Sequence, residues 1–269
     1  DGQVLTSTGA GSPPAFETIA AGVTSDNYNN TVAGTNAGDS FTGPGDATNN
    51  TLIGKNAGTA ITTGDDNTAV GLYSLQANTT GYSNTAIGKD ALYTSITGAG
   101  NTAIGENSLQ ASDGASANTA VGMNAGHDNT DGYENTAVGY ESFCNNTTGD
   151  FNTALGCRAM LGNPSTAGTG NDNTAIGHSA LRVNTSGTCN VAIGKSALQS
   201  GSNASCNTAI GIQALEDTTA SNNTAIGAYA SMDAVSGVNN VAIGYEANKV
   251  NNSGSYNVVI GHSAMKTTT

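Results

Sequence analysis

Four cysteines are the residues of this sequence that are best suited to covalent chemistry: Cys144, Cys157, Cys189 and Cys206. An even number of thiols favours disulfides in a protein of an oxidising compartment. The alternative is that all four remain free, half-buried thiols. The positions of the cysteines in the fold, and hence the distances between them, decide between these two interpretations.

The histidines and acidic residues form no pattern that is typical of a metal centre. No Cys-x-x-Cys pair occurs, and the three histidines are scattered, at His127, His178 and His262, so a zinc site is not expected. The acidic segment 128–131 offers oxygen ligands for calcium. However, the glycine-rich motif of calcium-binding β-rolls is absent.

Paired carboxylates occur at residues 65–66 and 216–217. We interpret them as solvated turn residues rather than as the acid and base of a glycosidase. No Gly-x-Ser-x-Gly elbow accompanies a suitable Ser–His–Asp set, and no phosphate-binding glycine loop includes a lysine. The sequence therefore predicts no enzymatic activity, no cofactor and no metal.

An internal repeat dictates the elements that must position these residues. The string Asn-Thr-Ala-Ile-Gly recurs with small variations, and ten of the thirteen spacings between successive copies equal 17. Its asparagine occupies positions 30, 50, 67, 84, 101, 118, 135, 152, 173, 190, 207, 223, 240 and 257. We therefore number the positions of the unit from 1 to 17, starting at that asparagine.

Most positions of the unit hold one kind of residue. Position 1 is always Asn, position 2 is Thr or Val, position 3 is mostly Ala, position 4 is almost always Ile, Val or Leu, and position 5 is always Gly. Position 8 is Ala or Ser, position 9 is often Leu, Met or Phe, and position 15 is usually Gly. The unit is too short for paired-helix repeats, which need ~33 residues.

We therefore predict an all-β fold: a parallel β-solenoid (β-roll or β-helix) of about 14 coils over residues 30–269, after a linker over residues 1–29. Positions 2–4 and 8–9 are expected to form two short strands, with turns at the glycines of positions 5 and 15. Stacking at ~4.8 Å gives a rod roughly 65–70 Å long. The Ile column should form an apolar spine and the Asn column an amide ladder.

Stacking also places the cysteines. Cys189 and Cys206 are separated by one full repeat unit and share a column in adjacent coils, so their Cα atoms should be close enough for a disulfide. We therefore predict a Cys189–Cys206 bridge. Cys144 and Cys157 are in adjacent coils but in different columns, which makes their pairing less favourable.

Four aromatic side chains come just after the turn glycine: Tyr82, Tyr133, Phe151 and Tyr256. We assign them to one column, where they could stack sugar rings along an edge of the rod. The alternatives are packing within the turn and contact between chains. Two irregular units, with extra residues near 42–45 and 162–165, are further candidate contact sites because insertions form loops.

The net charge of −13 argues against nucleic-acid partners and against electrostatic attachment to anionic membranes. No window approaches the ~20 apolar residues of a membrane span.

A single coil of this length encloses only a small apolar core, so lateral association of several chains, most simply three, is expected. The threonine column is also compatible with ice binding, although its exchange with Val disfavours this interpretation.

The repeat Asn-Thr-Ala-Ile-Gly-x-x-Ala-Leu-x-x-Asn-Thr-Thr-Gly resembles the repeats of bacteriophage tail fibres, and residues 1–16 resemble a linker that precedes such repeats. The unit is also similar to the shorter head repeats of trimeric, YadA-like autotransporter adhesins. This resemblance implies an elongated homotrimer on a virion surface or outside the cell, which attaches to a host glycan or receptor. The alternative function is a bacterial extracellular filament or surface adhesin that self-assembles as matrix or scaffold.

Overall fold

The computed structural model describes residues 3–6, 15–18, 24–26, 28–41, 47–233 and 235–268. Within these ranges the chain consists of β-strands and turns, and no helix capable of crossing a membrane is found. The segment expected to be a linker contains a two-stranded antiparallel sheet of β1 (Gln3–Thr6) and β2 (Ala15–Thr18).

One continuous sheet runs the length of the repeat region. It begins with β3 (Thr24–Ser25), which pairs antiparallel with the first of 14 parallel strands. These are β4 (Thr31–Ala33), β5 (Thr51–Ile53), β6 (Thr68–Val70), β7 (Thr85–Ile87), β8 (Thr102–Ile104), β9 (Thr119–Val121), β10 (Thr136–Val138), β11 (Thr153–Leu155), β12 (Thr174–Ile176), β13 (Val191–Ile193), β14 (Thr208–Ile210), β15 (Thr224–Ile226), β16 (Val241–Ile243) and β18 (Val258–Ile260). A small separate sheet pairs β17 (Val250–Asn251) with β19 (Thr267–Thr268).

Every parallel strand pairs with its neighbours in register, so equal positions of the unit lie above one another. For example, Ala103 of β8 is paired with Ala120 of β9, and Ile104 is paired with Val121. The predicted all-β parallel solenoid with a 17-residue repeat is therefore confirmed, with 13 turns between its 14 strands.

The prediction of a second strand at positions 8 and 9 is wrong. Positions 6–11 form a turn in most coils, and the residue at position 9 has a positive φ, for example 51° at Leu92 and 50° at Met160. A β-strand requires negative φ, so this backbone cannot continue as an extended chain. Positions 7 and 17 are also left-handed, as at Asn107 (φ 56°) and Cys189 (φ 56°). Left-handed residues at these three positions close the chain on itself.

The predicted apolar spine of Ile side chains is also wrong, because position 4 faces outward. Side chains alternate along each strand, so positions 1 and 3 point inward while positions 2 and 4 point outward. Ala103 is 0% exposed, whereas its neighbour Ile104 is 38% exposed. The core consists of Ala at position 3, Ala or Ser at position 8 and the large apolar residue at position 9, such as Leu92.

The narrow interior explains why the small residue points inward. In the second coil Leu52 replaces the usual Ala at position 3, and position 9 becomes Gly58. A Cβ built on Gly58 would lie 2.7 Å from Leu52 and 2.8 Å from Ile61. In this coil the large core residue therefore comes from position 3 instead of position 9.

Position 5 requires glycine because neighbouring backbones approach closely there. Gly105 has a φ of +136°, and a Cβ built on it would lie 2.5 Å from the carbonyl oxygen of Gly122 in the next coil. Both the backbone conformation and the space exclude a side chain. The predicted turn with close backbone approach at this position is confirmed.

The predicted ladder of asparagines is confirmed and lies inside the rod. The backbone N–H of Asn118 donates to Oδ1 of Asn101 (3.0 Å), and its Nδ2 donates to the same oxygen (3.2 Å) and to the carbonyl of Gly132 (2.8 Å). The corresponding backbone bond to the preceding Asn occurs in all 13 later coils. The buried asparagines at position 1 are thus hydrogen-bonded from coil to coil.

Asp26 completes the ladder at its N-terminal end. Its Oδ1 accepts the backbone N–H of Asn30 and its Oδ2 accepts Nδ2 of Asn30, both at 2.9 Å. Although desolvation acts in the opposite direction, these hydrogen bonds lower the pKa of Asp26. The carboxylate therefore substitutes for the asparagine that a preceding coil would supply.

Enlarging the buried alanine should be much more damaging than changing its exposed neighbour. Ala103→Leu should overpack the core and lower the free energy of unfolding by about 1–3 kcal/mol or more. Ile104→Leu, the matched control on the outer side of the same strand, should change it by no more than about 0.5 kcal/mol. Urea denaturation of both variants checks this expectation, and equal losses would contradict the inward assignment of position 3.

Removing one rung of the ladder should destabilise the whole stack. Asn118→Ala leaves the buried N–H of Asn135 without its acceptor, while the carbonyl of Gly132 keeps only its bond from Nδ2 of Asn129, so we expect a loss of about 1–3 kcal/mol. The exposed Asn252 provides the control, and Asn252→Ala should be nearly neutral. Comparable melting temperatures for the two variants would show that the ladder is dispensable.

Candidate binding surfaces

The outward side of the long sheet is a charge-free strip that we call the Thr/Ile face. At position 2 of the unit it consists of Thr31, Thr51, Thr68, Thr85, Thr102, Thr119, Thr136, Thr153, Thr174, Val191, Thr208, Thr224, Val241 and Val258. At position 4 it consists of Ala33, Ile53, Val70, Ile87, Ile104, Val121, Val138, Leu155, Ile176, Ile193, Ile210, Ile226, Ile243 and Ile260. All of these side chains are half-buried or exposed. Sequence reasoning missed this face, although the absence of charge from both columns was visible.

The threonine hydroxyls of this face make no hydrogen bond to the rest of the described chain. Threonines at position 13 behave differently, since their hydroxyls donate to a carbonyl of the next coil, as Thr130 does to Thr147 at 3.2 Å and Thr185 does to Ser202 at 2.9 Å. The hydroxyls of the Thr/Ile face are therefore available to water or to a partner.

Charged residues flank the Thr/Ile face at both ends of the strands. Position 6 carries Lys55, Lys89 and Lys195 with one acid, Glu106, whose Oε1 lies 3.2 Å from the Lys89 ammonium. Position 17 carries only acids among its charged residues, namely Asp66, Glu134 and Asp172, all exposed. The position 6 column is therefore net positive and the position 17 column net negative, although Asp90 also lies 2.9 Å from the Lys89 ammonium.

The four candidate sugar-contact aromatics do not form one edge. All are exposed, but Tyr82 and Tyr133 occupy position 16, whereas Phe151 and Tyr256 occupy position 17. The assignment to one column is wrong because the latter pair comes two residues after the turn glycine and takes a left-handed φ, 58° at Phe151. Only Tyr133 and Phe151 lie in adjacent coils, where the N–H of Phe151 donates to the carbonyl of Tyr133 at 3.0 Å.

The insertion near residue 163 forms an overhanging loop with a groove beneath it. A tight turn is closed by the N–H of Thr166, which donates to the carbonyl of Asn163 at 3.1 Å, and Pro164 lies within it. The groove has a volume of about 370 Å³, and both apolar and hydroxyl-bearing residues line it, including Ala111, Thr130 and Thr147. The other irregular loop, at residues 42–46, lies outside the described residues.

All four cysteines are free thiols, so the predicted Cys189–Cys206 bridge is not formed in this structure. Both residues occupy position 17, with φ values of 56° and 58°. Equal conformations at equal positions point the Cβ atoms in parallel, which leaves them one coil spacing apart, ~4.8 Å, beyond the ~3.5–4.5 Å of a disulfide. Cys189 and Cys206 are exposed, whereas Cys144 and Cys157 are half-buried.

The paired carboxylates stabilise contacts between coils. Oδ1 of Asp65 accepts the backbone N–H (2.6 Å) and hydroxyl (3.0 Å) of Thr48, and Oδ1 of Asp66 accepts Nδ2 of Asn49 at 3.1 Å. Burial raises the pKa of Glu216, and its side chain is bonded to Gln213. These partners leave the carboxylates engaged in the fold.

In the acidic segment 128–131, which offers oxygen ligands for calcium, the Asp128 carboxylate is paired with a histidine. Oδ1 of Asp128 lies 2.6 Å from Nδ1 of His127. Across the described ranges no group of three or more His, Cys, Asp or Glu residues is arranged to hold a metal ion.

Near the C-terminal end, hydrogen bonds from Lys249 and Lys266 lower the pKa of Glu246 to about 2. That ion-pair stabilisation is complete above the ordinary carboxyl pKa and is lost as the pH falls towards 2.

Four Asn-x-Ser/Thr sequons have buried asparagines, whereas the asparagines of four others, Asn29, Asn49, Asn203 and Asn222, are exposed. Asn78, Asn146, Asn184 and Asn251 all occupy position 12, inside the coil, and are at most 5% exposed. An oligosaccharide could not be attached to these side chains in the folded chain. These four buried sequons therefore follow from the composition of the repeat.

No protein-family model, curated protein or solved structure matches this chain significantly. The function must therefore be inferred from the shape and chemistry of its surfaces. Those surfaces are the Thr/Ile face, the Tyr133–Phe151 pair and the groove beneath residues 163–167.

The thiols should react in the order of their exposure. Under native conditions an aromatic disulfide reagent should modify Cys189 and Cys206 quickly and Cys144 slowly, because burial raises the pKa of Cys144 to about 12 and keeps it protonated. Cys189→Ser should remove one rapidly reacting thiol. After denaturation without reductant, a titre below the chain's four thiols would reveal a bridge that this structure lacks.

Proposed function

We propose that this chain is the shaft of an attachment fibre on a virion surface or outside the cell. The observation that carries the proposal is the unbroken register of its 14 parallel strands, which are joined by a buried amide ladder. Such a stack spans about 60 Å between its first and last strands. A rod of this kind would hold its two ends at a fixed separation and present side chains at regular intervals along its length.

The sequence resemblance to phage tail-fibre repeats supports this proposal. The structure agrees with the resemblance at the coarser level of a parallel β-solenoid with a 17-residue unit. Function would then be passive: the rod carries the load, and weak contacts repeated along several chains add up through avidity. The proposal requires no catalytic group.

The covered N-terminal edge argues against a filament made by end-to-end stacking of coils. Thr24 and Ser25 of β3 pair antiparallel with Val32 and Thr31 of β4, so that edge is not free to accept a further parallel strand. Asp26 also closes the amide ladder there. A shaft of defined length therefore fits the structure better than an open polymer.

We assign weak carbohydrate contact to the Tyr133–Phe151 pair. Two exposed aromatic side chains lie in adjacent coils, and Oδ1 of the neighbouring Asp150 accepts the N–H of Tyr133 at 2.8 Å. Aromatic faces with nearby hydrogen-bond acceptors suit sugar rings. The isolated Tyr82 lacks a neighbouring ring and offers a matched comparison.

An array of bacterial surface polysaccharides tests this function. The chain should be retained on a subset of glycans without releasing reducing ends. The double variant Tyr133→Ala with Phe151→Ala should lose most of this retention, whereas Tyr82→Ala should keep it. Release of reducing ends would replace the passive shaft with an enzyme. Retention that is equal in all variants would remove the aromatic pair from the binding surface.

A further inference from the structure

We infer that the groove beneath residues 163–167 binds one uncharged sugar ring, and that the groove and the Tyr133–Phe151 pair form a single oligosaccharide site. The assignment rests on the proposed attachment function and names a ligand class for it. The motivating observation is that the longer unit adds a wall above the same coils that carry the two exposed aromatic side chains.

The wall of the groove is held in place at both of its ends. The N–H of Gly162 donates to the carbonyl of Arg182 in the following coil at 2.9 Å. The N–H of Gly168 donates to the carbonyl of Asn145 in the preceding coil at 3.2 Å. Because the wall is anchored before any ligand arrives, binding costs little conformational entropy. The volume of about 370 Å³ also lies within the ~300–1,000 Å³ of small-molecule pockets.

The lining of the groove combines apolar surface with a few hydrogen-bonding groups. Ala111 and Pro164 contribute the apolar part. Of the Asp128 carboxylate, only Oδ1 has a partner in the described chain, Nδ1 of His127 at 2.6 Å. The side chain of Asn145 makes no hydrogen bond to any other described residue. A sugar ring has the matching composition, with apolar C–H groups on its faces and hydroxyls around its rim.

The polar groups of the groove mainly accept hydrogen bonds. The hydroxyl groups of Thr130 and Thr147 donate to carbonyls of the next coil, both at 3.2 Å, which leaves their oxygen lone pairs as acceptors. Together with the free oxygen of Asp128 they match the hydroxyl donors of a sugar. No Lys or Arg is found among the described residues that line the groove, and the chain has a net charge of −13. A carboxylate, sulfate or phosphate on the ligand would therefore be repelled.

The aromatic pair continues the site along the same turns. Tyr133 comes three residues after Thr130, so their Cα atoms are at most about 11 Å apart. Phe151 comes four residues after Thr147, which limits that separation to about 14 Å. A short oligosaccharide with one ring in the groove therefore reaches both aromatic side chains, which suit the apolar faces of its other rings.

Saturation-transfer NMR of the full chain tests the groove with free glycosides. The probes are the methyl glycosides of glucose, galactose, mannose and N-acetylglucosamine, with those of glucuronic acid and N-acetylneuraminic acid as charged counterparts. We expect at least one neutral glycoside to bind and neither acidic one. Ala111→Phe fills the groove and should abolish binding. Asp128→Asn removes the charged acceptor at nearly constant size and should weaken binding about tenfold or more.

Ala77→Phe and Asp217→Asn are the matched controls, because both residues occupy position 11 of the unit, as Ala111 and Asp128 do, but lie away from the groove. Both controls should bind the neutral glycoside as the wild type does, and circular dichroism should show the same fold in all four variants. Binding of no neutral glycoside, preference for an acidic one, or unchanged binding by Ala111→Phe would overturn the inference.

The polysaccharide array separates this inference from the attachment function. If Ala111→Phe is retained like the wild type, while Tyr133→Ala with Phe151→Ala is not, the attachment function stands and the groove has no part in it. A wild type that is retained on no polysaccharide would instead overturn the attachment function, and the groove assignment with it. Loss of retention in both Ala111→Phe and the aromatic double variant, with Ala77→Phe retained, is the result expected for a single site.

Discussion

The buried amide ladder is the interaction on which the rest of the structure depends. The backbone N–H of each later position 1 residue donates to the side-chain oxygen of the asparagine in the coil before it, as Asn118 does to Asn101. Most position 1 side chains also donate to the carbonyl of position 15 in their own coil, as Asn118 does to Gly132. One residue thus fixes the axial register and closes the coil laterally. No other proteinogenic side chain of this length offers both a donor pair and an acceptor in this geometry, which accounts for Asn in every copy.

The ladder and the glycine contacts together determine how thin the rod is. Because Gly105 and its equivalents allow backbones to approach directly, the coil has no room for large residues on both of its inner walls. Ala at position 3 therefore faces a single large residue at position 9, such as Leu92. Stability accumulates from many small, nearly identical contacts between neighbouring coils, as expected for a one-dimensional repeat protein.

The sequence was sufficient to predict the period, the parallel stacking, the amide ladder and the glycine turns, because each produces an invariant column. It was not sufficient to predict which side of the strand faces inward. A three-residue strand such as Thr102–Ile104 offers either Ala103 or Ile104 to the core, and size suggested Ile. The left-handed backbone at positions 7, 9 and 17 was also invisible, because Leu and Cys rarely adopt it. This backbone takes the place of the predicted second strand, whereas the offset of Phe151 and Tyr256 from the other aromatics is visible in the sequence itself.

Strand propensity alone does not explain the composition of the outward face. β-Branched residues favour extended backbone whether they are exposed to solvent or buried. Strand propensity therefore accounts for Thr at position 2, but Thr at position 4 would suit a strand equally well. Position 4 instead retains Ile, Val or Leu in thirteen coils, while acids and lysines are confined to positions beyond the strand ends. A column that met only water would be free to accept charge. The exclusion of charge along the whole rod therefore has no explanation in strand propensity, and it distinguishes this face from the charged turns on either side of it.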